Sequence, residues 1–279
     1  MRSLSRINLI LLLLISSLAM AKEPRSAEGY FKRGLARYTA GELDRAIADF
    51  SKAIAINSGF KDLGIRQPDG FNFDASSNSA TPASSRIVVM DMFNAAAYFN
   101  CGRARYDKGD LDGAIADFSI AISLEPRDAT AYDSRGSAWQ AKGDLDSAIK
   151  DFQMAVELNP IFAGAFYNRG NARLEKREFE GAIADYSRAI EINPRMALAF
   201  NNRGIAHKAR GEFGLAILDY DKALDLDSGL VLAHVNRGLA LLLQGRDAEA
   251  EKDFAHCVRL APGLRQTVEQ LIVRTKAAR

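Results

Sequence analysis

The sequence predicts an all-α chain that stacks one helix-turn-helix unit six times. Three observations predict it. Gly102, Gly136, Gly170, Gly204 and Gly238 stand 34 residues apart, and Gly34 lies two periods before Gly102. Ala46, Ala114, Ala148, Ala182, Ala216 and Ala250 keep the same phase, as do the aromatics Phe50, Phe118, Phe152, Tyr186, Tyr220 and Phe254. Pro126, Pro160 and Pro194 share the spacing, and Pro262 follows two periods later. Four residue types held in one register over a period of this length mark a repeat array.

Within a copy, "AYDSRGSAWQAKG" and "DLDSAIKDFQMAVELNP" are each apolar at i, i+3/i+4 and i+7, the periodicity of a helix. Gly143, with Gly41, Gly109, Gly211 and Gly245 at matching sites, falls where the first helix must stop and turn. Pro160 and its equivalents end the second helix, because proline cannot continue it. Gly136 on the first helix and Ala148 on the second let the two approach closely, and Phe152 fills the space beside them.

This order of a large residue, Gly, Ala, a turn Gly, Ala, an aromatic, Ala and Pro resembles the tetratricopeptide-repeat (TPR) family. Six copies fit, at 27–60, 95–128, 129–162, 163–196, 197–230 and 231–264. The resemblance implies a right-handed superhelical solenoid with a concave groove lined by the first helices. It specifies the fold far more than the function, because the shared residues encode packing. Ser58 and Ser228 replace the terminal proline in two copies, Arg177 the turn glycine in the fourth and Asp247 an apolar residue in the sixth, while Cys257 stands where other copies carry Ala. Each departure is expected to loosen a junction locally.

Residues 265–279 repeat apolar positions at Val268, Leu271 and Ile272, so a helix capping the sixth repeat is expected, with a partner-binding tail as the alternative. Residues 61–94 form an irregular insert rich in Ser, Asn, Asp, Gly and Pro; Pro68 falls at the first-helix Gly site and bars a seventh repeat. Its end, Arg86–Phe93, is apolar. Two readings stand: an N-terminal extension of the next helix, or a self-ligand folding across the first repeats.

Arg2 and Arg6, the apolar run Leu9–Met20 and the Ala19-Met20-Ala21 site read as an export signal cleaved after Ala21, in the style of a bacterial periplasmic or secreted protein. The run of 12 residues is short of the about 20 that span a membrane, so no stable membrane anchor is expected after cleavage. Removing the segment takes Lys+Arg from 37 to 35, level with 35 Asp+Glu. A formally neutral chain has no bulk electrostatic reason to bind nucleic acid.

No phosphate loop, HExxH, CxxC or G-x-S-x-G motif occurs, so no enzyme, cofactor or metal is implied. His207 and His234 fall at different sites of adjacent repeats and could approach each other. Four repeat steps separate Cys101 from Cys257, too far for a disulfide.

The outward faces of the first helices carry Phe31, Leu35, Tyr38; Phe99, Arg103, Tyr106; Asp133, Ser137, Gln140; Tyr167, Asn171, Leu174; Asn201, Ile205, Lys208; and Val235, Leu239, Leu242. The resemblance assigns these to the groove. Aromatics with an Arg suit an extended peptide; the aliphatic end suits a partner helix or a second copy of the chain, making homo-oligomerisation the alternative. Asn100, Asn168, Asn202 and Asn236 recur at one first-helix site and can bond a ligand backbone or brace the adjacent repeat. TPR domains that clamp a chaperone's C-terminal carboxylates place a Lys where this chain has Phe31, Phe99, Asp133, Tyr167, Asn201 and Val235, which disfavours that clamp. The expected function is a scaffold for a protein or peptide partner.

Overall fold

A computed structural model describes residues 23–62 and 83–279. The signal-like segment and residues 63–82 of the insert lie outside the described residues. Helices α1 (Ala27–Thr39), α2 (Leu43–Asp62), α3 (Ala83–Lys108), α4 (Leu111–Leu124) and α5 (Ala129–Lys142) are followed by α6 (Leu145–Leu158), α7 (Ala163–Glu175), α8 (Phe179–Ile192) and α9 (Ala197–Ala209). Then come α10 (Phe213–Leu226), α11 (Val231–Leu243), α12 (Asp247–Leu260), a 3-10 turn (Pro262–Leu264) and α13 (Arg265–Ala277). No strand occurs among the described residues, and the architecture is an all-α repeat solenoid. The chain forms two compact bodies, one up to Ala138 and one from Trp139 to Arg279.

The 34-residue register acts through one contact repeated in five of the copies. A Cβ added to Gly34, Gly170, Gly204 or Gly238 would sit 2.7 Å from the ring of Phe50, Tyr186, Tyr220 or Phe254 on the second helix, and one on Gly102 would sit 2.8 Å from Phe118. The aromatic sits against bare backbone, so the two helices close around it; Phe50, Phe152, Tyr186 and Tyr220 are wholly buried. At the turns, Gly41, Gly109, Gly143, Gly211 and Gly245 have φ between 76° and 88°. Arg177, at the equivalent site, takes φ 64°, a conformation costly for a residue with a Cβ.

A second register joins the helices electrostatically. In the first body, Arg33 grips Asp49 with two bonds of 2.9 and 2.7 Å, and Arg37 adds a third at 2.7 Å. In the second, Arg169 and Arg173 hold Asp185, Arg203 holds Asp219, and Arg237 holds Asp253. The remaining arm of each guanidinium reaches back one repeat: Arg203 Nη1 donates to Ser187 Oγ at 2.9 Å and Arg237 Nη1 to Asp221 at 2.6 Å. The second repeat has Cys101 at this Arg position. Its Asp117 meets Arg105, with Nε at 3.3 Å, and the Cys101 thiol.

At the end of the chain, α13 packs on α11. Val268 is 3% exposed and joins a cluster containing Leu239, Leu241, Leu242 and Phe254, with Leu271 and Ile272 against it. Asp247 receives Arg279 Nη1 at 2.7 Å, and the same nitrogen donates to the Leu242 carbonyl at 3.3 Å. The polar departure of the sixth copy thus anchors the final helix rather than loosening its junction.

The end of the insert is helical. Helix α3 begins at Ala83, so the stretch Arg86–Phe93 extends the first helix of the second copy. Phe93 also sets its ring 5.3 Å from that of Phe31.

Candidate partner-binding surfaces

In the first body, side chains of successive first helices meet. The Tyr38 hydroxyl donates to Asp107 Oδ2 at 2.5 Å and accepts from Arg103 Nη2 at 3.2 Å. The Arg103 guanidinium lies 5.0 Å from the Tyr38 ring centroid and 6.0 Å from that of Phe99. Burial, reinforced by the Asp107 carboxylate, pushes the Tyr38 phenol up, keeping it a donor at neutral pH. Tyr38, Arg103, Tyr106, Asp107, Phe118, Asp133, Ser134 and Ser137 together line an open pocket of about 250 Å³. Phe31 and Leu35 are turned more inward. They pack with Tyr38 against Ala46, Phe50 and Cys101, and Phe93 covers part of Phe31. Asn100 bonds its own helix, donating to the Ala96 carbonyl at 2.8 Å.

In the second body, polar groups join three first helices in one chain. Lys208 Nζ donates to Asn236 Oδ1 at 3.3 Å, and Asn236 donates to Asn201 Oδ1 at 3.2 Å. Asn201 donates to Asn202 Oδ1 at 2.9 Å; Asn202 donates to Asn171 Oδ1 at 2.9 Å and to the Tyr167 hydroxyl at 3.1 Å. Tyr186 closes the chain, donating to Asn171 Oδ1 at 2.8 Å. Asn202 and Asn236 therefore brace adjacent repeats. Asn168, Ile205 and Val235 are partly buried on the same helices.

Three groove assignments need correction. Asn201 is 2% exposed, its amide consumed between Asn202 and Asn236. Leu239 and Leu242 are 9% and 1% exposed, packed beneath α13 in the terminal cluster. Leu239 and Leu242, two residues of the aliphatic surface, are thus covered by α13.

His207 and His234 bond different partners. His207 Nδ1 is 2.6 Å from Glu212. His234 lies between Asp253, at 3.0 Å, and the Ser228 carbonyl, and stacks on His256. Among the described residues no group of three or more His, Cys, Asp or Glu could hold a metal, and no helix is long and apolar enough to cross a membrane. Cys101 and Cys257 are buried free thiols.

The Arg–Asp register is the feature that sequence reasoning passed over. Its signal was the same arithmetic that found the glycines: Arg135, Arg169, Arg203 and Arg237 are 34 apart, as are Asp117, Asp151, Asp185, Asp219 and Asp253.

Comparison with known proteins agrees with this architecture. A TPR-repeat profile matches residues 102–143 and 170–211. Tetratricopeptide-repeat profiles match residues 14–59, 129–162 and 231–263. No match was found among curated proteins. Among solved structures, the chain is similar to the MamA protein at 27% identity and a TM-score of 0.56, over 62% of this chain and 94% of that one. It is similar to YrrB, a TPR protein with an unusual peptide-binding site, at 20% identity and TM-score 0.57, over 71% and 100%. It is similar to pilF of Pseudomonas aeruginosa at 15% identity and TM-score 0.64, over 88% and 96%. The last two are likenesses of fold alone. With repeat profiles matched from the first copy to the sixth and one helix pair recurring along the described residues, the chain belongs to the tetratricopeptide-repeat family.

Proposed function

We propose that this chain is a non-enzymatic adaptor whose first-helix faces hold extended peptide segments of partner proteins. The observation that carries this reading is the open pocket of the first body. There Arg103 lies between two aromatic rings and the Tyr38–Asp107 bond joins separate repeats. Aromatic walls supply contact area at low entropic cost, and Arg supplies a directed charge, the combination that concentrates binding energy in interfaces. YrrB, on the same fold, has a peptide-binding site; that likeness lends the reading precedent, and the chemistry of the pocket lends it substance.

The test is selection of peptides from a random twelve-residue display library on the purified chain, followed by fluorescence anisotropy. The Phe99→Ala/Tyr106→Ala variant is expected to weaken the selected peptides by at least about tenfold, the loss of one well-buried anchor contact. Equal affinities for variant and wild type would sink the assignment of the groove.

We further propose that the adaptor works outside the cytoplasm of a bacterium, in the periplasm or beyond, on the strength of the segment before Lys22. Mass spectrometry of the chain from an envelope fraction should find a new N-terminus at Lys22. A full-length chain confined to the cytosol would refute export.

A further inference from the structure

We infer that one edge of the second body docks on anionic lipid bilayers, through a row of exposed leucines flanked by unpaired arginines. The inference is independent of the adaptor reading and uses a different part of each repeat. Four residues join α6 to α7, α8 to α9 and α10 to α11, so each second helix ends, and the next first helix begins, at the same edge of the stack. Ten large apolar side chains of the second body are exposed, and six of them stand at this edge. Ile161 precedes α7, Leu198 and Leu232 are the second residues of α9 and α11, Leu226 and Leu260 end α10 and α12, and Leu264 lies in the turn before α13. They are between 37% and 73% exposed. Apolar side chains scattered singly over a surface need no explanation; six gathered on one edge do. The junctions also give up polar groups. Phe162, Met196 and Leu230 hold the N-cap sites of α7, α9 and α11 and make no side-chain cap bond, where Ser, Thr, Asp or Asn would stabilise the helix. The matching junction of the first body keeps the polar pattern. Asp128 stands there and accepts from Thr130 N at 2.8 Å, and Thr130 itself holds the site of Leu198 and Leu232.

Charge points to anionic lipid. Arg195, Arg259 and Arg265 are exposed at the same junctions and form no ion pair among the described residues. The acids nearby are engaged: Glu191 with Arg188, Asp225 with Lys222, Glu157 with the Gln153 amide, and Asp227 with the Gly229 N–H. Interfacial adsorption needs two parts, apolar side chains that enter the acyl boundary and cations that stay among the headgroups. Each arginine near an anionic surface adds an attraction that salt screens. A partner helix would instead need a groove to receive its apolar face. These side chains stand on loop residues and helix ends, not along the length of one helix, so they present tips to a plane. No helix among the described residues is long and apolar enough to cross a membrane, so the contact is adsorption without spanning.

The test is co-sedimentation with two kinds of vesicle, phosphatidylcholine alone and phosphatidylcholine with about one third phosphatidylglycerol. The chain used begins at Lys22, which keeps every described residue and removes the apolar run Leu9–Met20 that would itself enter lipid. Binding to the anionic vesicles should be at least about tenfold tighter than to the neutral ones and should weaken as salt rises. Leu198→Ser/Leu232→Ser should lower the affinity for anionic vesicles at least about tenfold. Arg195→Gln/Arg259→Gln/Arg265→Gln should abolish the anionic preference and leave the affinity for neutral vesicles unchanged. Leu215→Ser/Leu218→Ser, on exposed leucines near the start of α10 and away from this edge, should leave both affinities unchanged. Thermal melts separate loss of the edge from loss of the fold, and the arginine variant tests the charge without touching an apolar contact. Sedimentation with neither vesicle, equal binding to both, or binding that survives Leu198→Ser/Leu232→Ser would overturn the inference. So would an equal loss in Leu215→Ser/Leu218→Ser, or a lipid-free dimer in light scattering that Leu198→Ser/Leu232→Ser dissolves, which would make the edge a contact between copies. Each of these leaves the adaptor reading standing, since peptide anisotropy tests that reading by itself.

Discussion

The Arg–Asp register predicts that one substitution, made at the same place in two repeats, has very different effects. Asp185 is 2% exposed and takes every contact from cations: Arg169 through Nε at 3.0 and 3.1 Å and through Nη2, and Arg173 Nη1 at 2.7 Å. Asp185→Asn keeps the shape and removes the charge. The Arg169 side chain, itself 9% exposed, is then left buried without an anion. Removing one partner of a buried pair costs about 3–5 kcal/mol, mostly the penalty of the stranded charge. At about 2–4 °C per kcal/mol for a body of this size, the melting temperature should fall by roughly 6–20 °C.

Asp117 occupies the same position in the second repeat with a different partner set. Its Oδ2 has no hydrogen-bond partner, and Arg105 is 30% exposed and 3.3 Å away. Burial raises its carboxyl above the ordinary value of 3.8, so the charged form is disfavoured by folding. Asp117→Asn gives up a weak, partly exposed pair worth about 0–1 kcal/mol and removes that penalty, for a net change within about 1 kcal/mol. The pH dependence follows in sign. The penalty on wild type is fully present above the raised folded pKa and fades as pH falls toward the unfolded value, so wild type should gain on Asp117→Asn as the medium is acidified. Thermal melts should be paired with amide hydrogen exchange, reading α7–α8 for the first variant and α3–α4 for the second, since repeats open locally. Equal losses at the two sites would refute the claim that partner set, rather than repeat position, decides the cost.

Tyr220 has a buried hydroxyl without a partner, because Ile205 stands where Asn171 serves Tyr186; Tyr220→Phe should stabilise by about 1–2 kcal/mol in denaturant titration, the penalty of an unmet buried donor. Gly204→Ala should destabilise by about 1–2 kcal/mol, since its Cβ would lie 2.7 Å from the wholly buried Tyr220 ring. In the same titration Gly214→Ala, whose Cβ would meet only Gln244 at 3.9 Å, should stabilise by up to about 1 kcal/mol. Burial pushes the Cys101 thiol up to about 12, so iodoacetamide at mildly alkaline pH should modify it orders of magnitude more slowly in the native chain than in denaturant, as mass spectrometry of the peptide would show.

The repeat was legible because its cause is local: an aromatic against a bare glycine works only at one spacing, so the spacing survives in the sequence. The outward face followed from the same register, and it placed Tyr38, Phe99, Arg103 and Tyr106 beside one another. A register tells where a side chain leaves its own helix. It does not tell what arrives later to cover it, and Leu239 and Leu242 disappeared beneath α13 for that reason. Asn201 sank because its neighbours supplied partners on both sides, which depends on side chains 35 positions away.

The backward-reaching arm of each arginine has a consequence for how the stack comes apart. Where Arg203 touches Ser187 and Arg237 touches Asp221, a repeat cannot open without releasing a guanidinium that its predecessor also holds. In the language of a one-dimensional lattice, these contacts raise the coupling between neighbouring sites relative to the intrinsic stability of each, and unfolding then advances in blocks rather than repeat by repeat. Cys101 removes this link at the second repeat. A front of disorder entering the first body has its cheapest domain wall there, between the helix pair that Arg33 locks and the pair that follows.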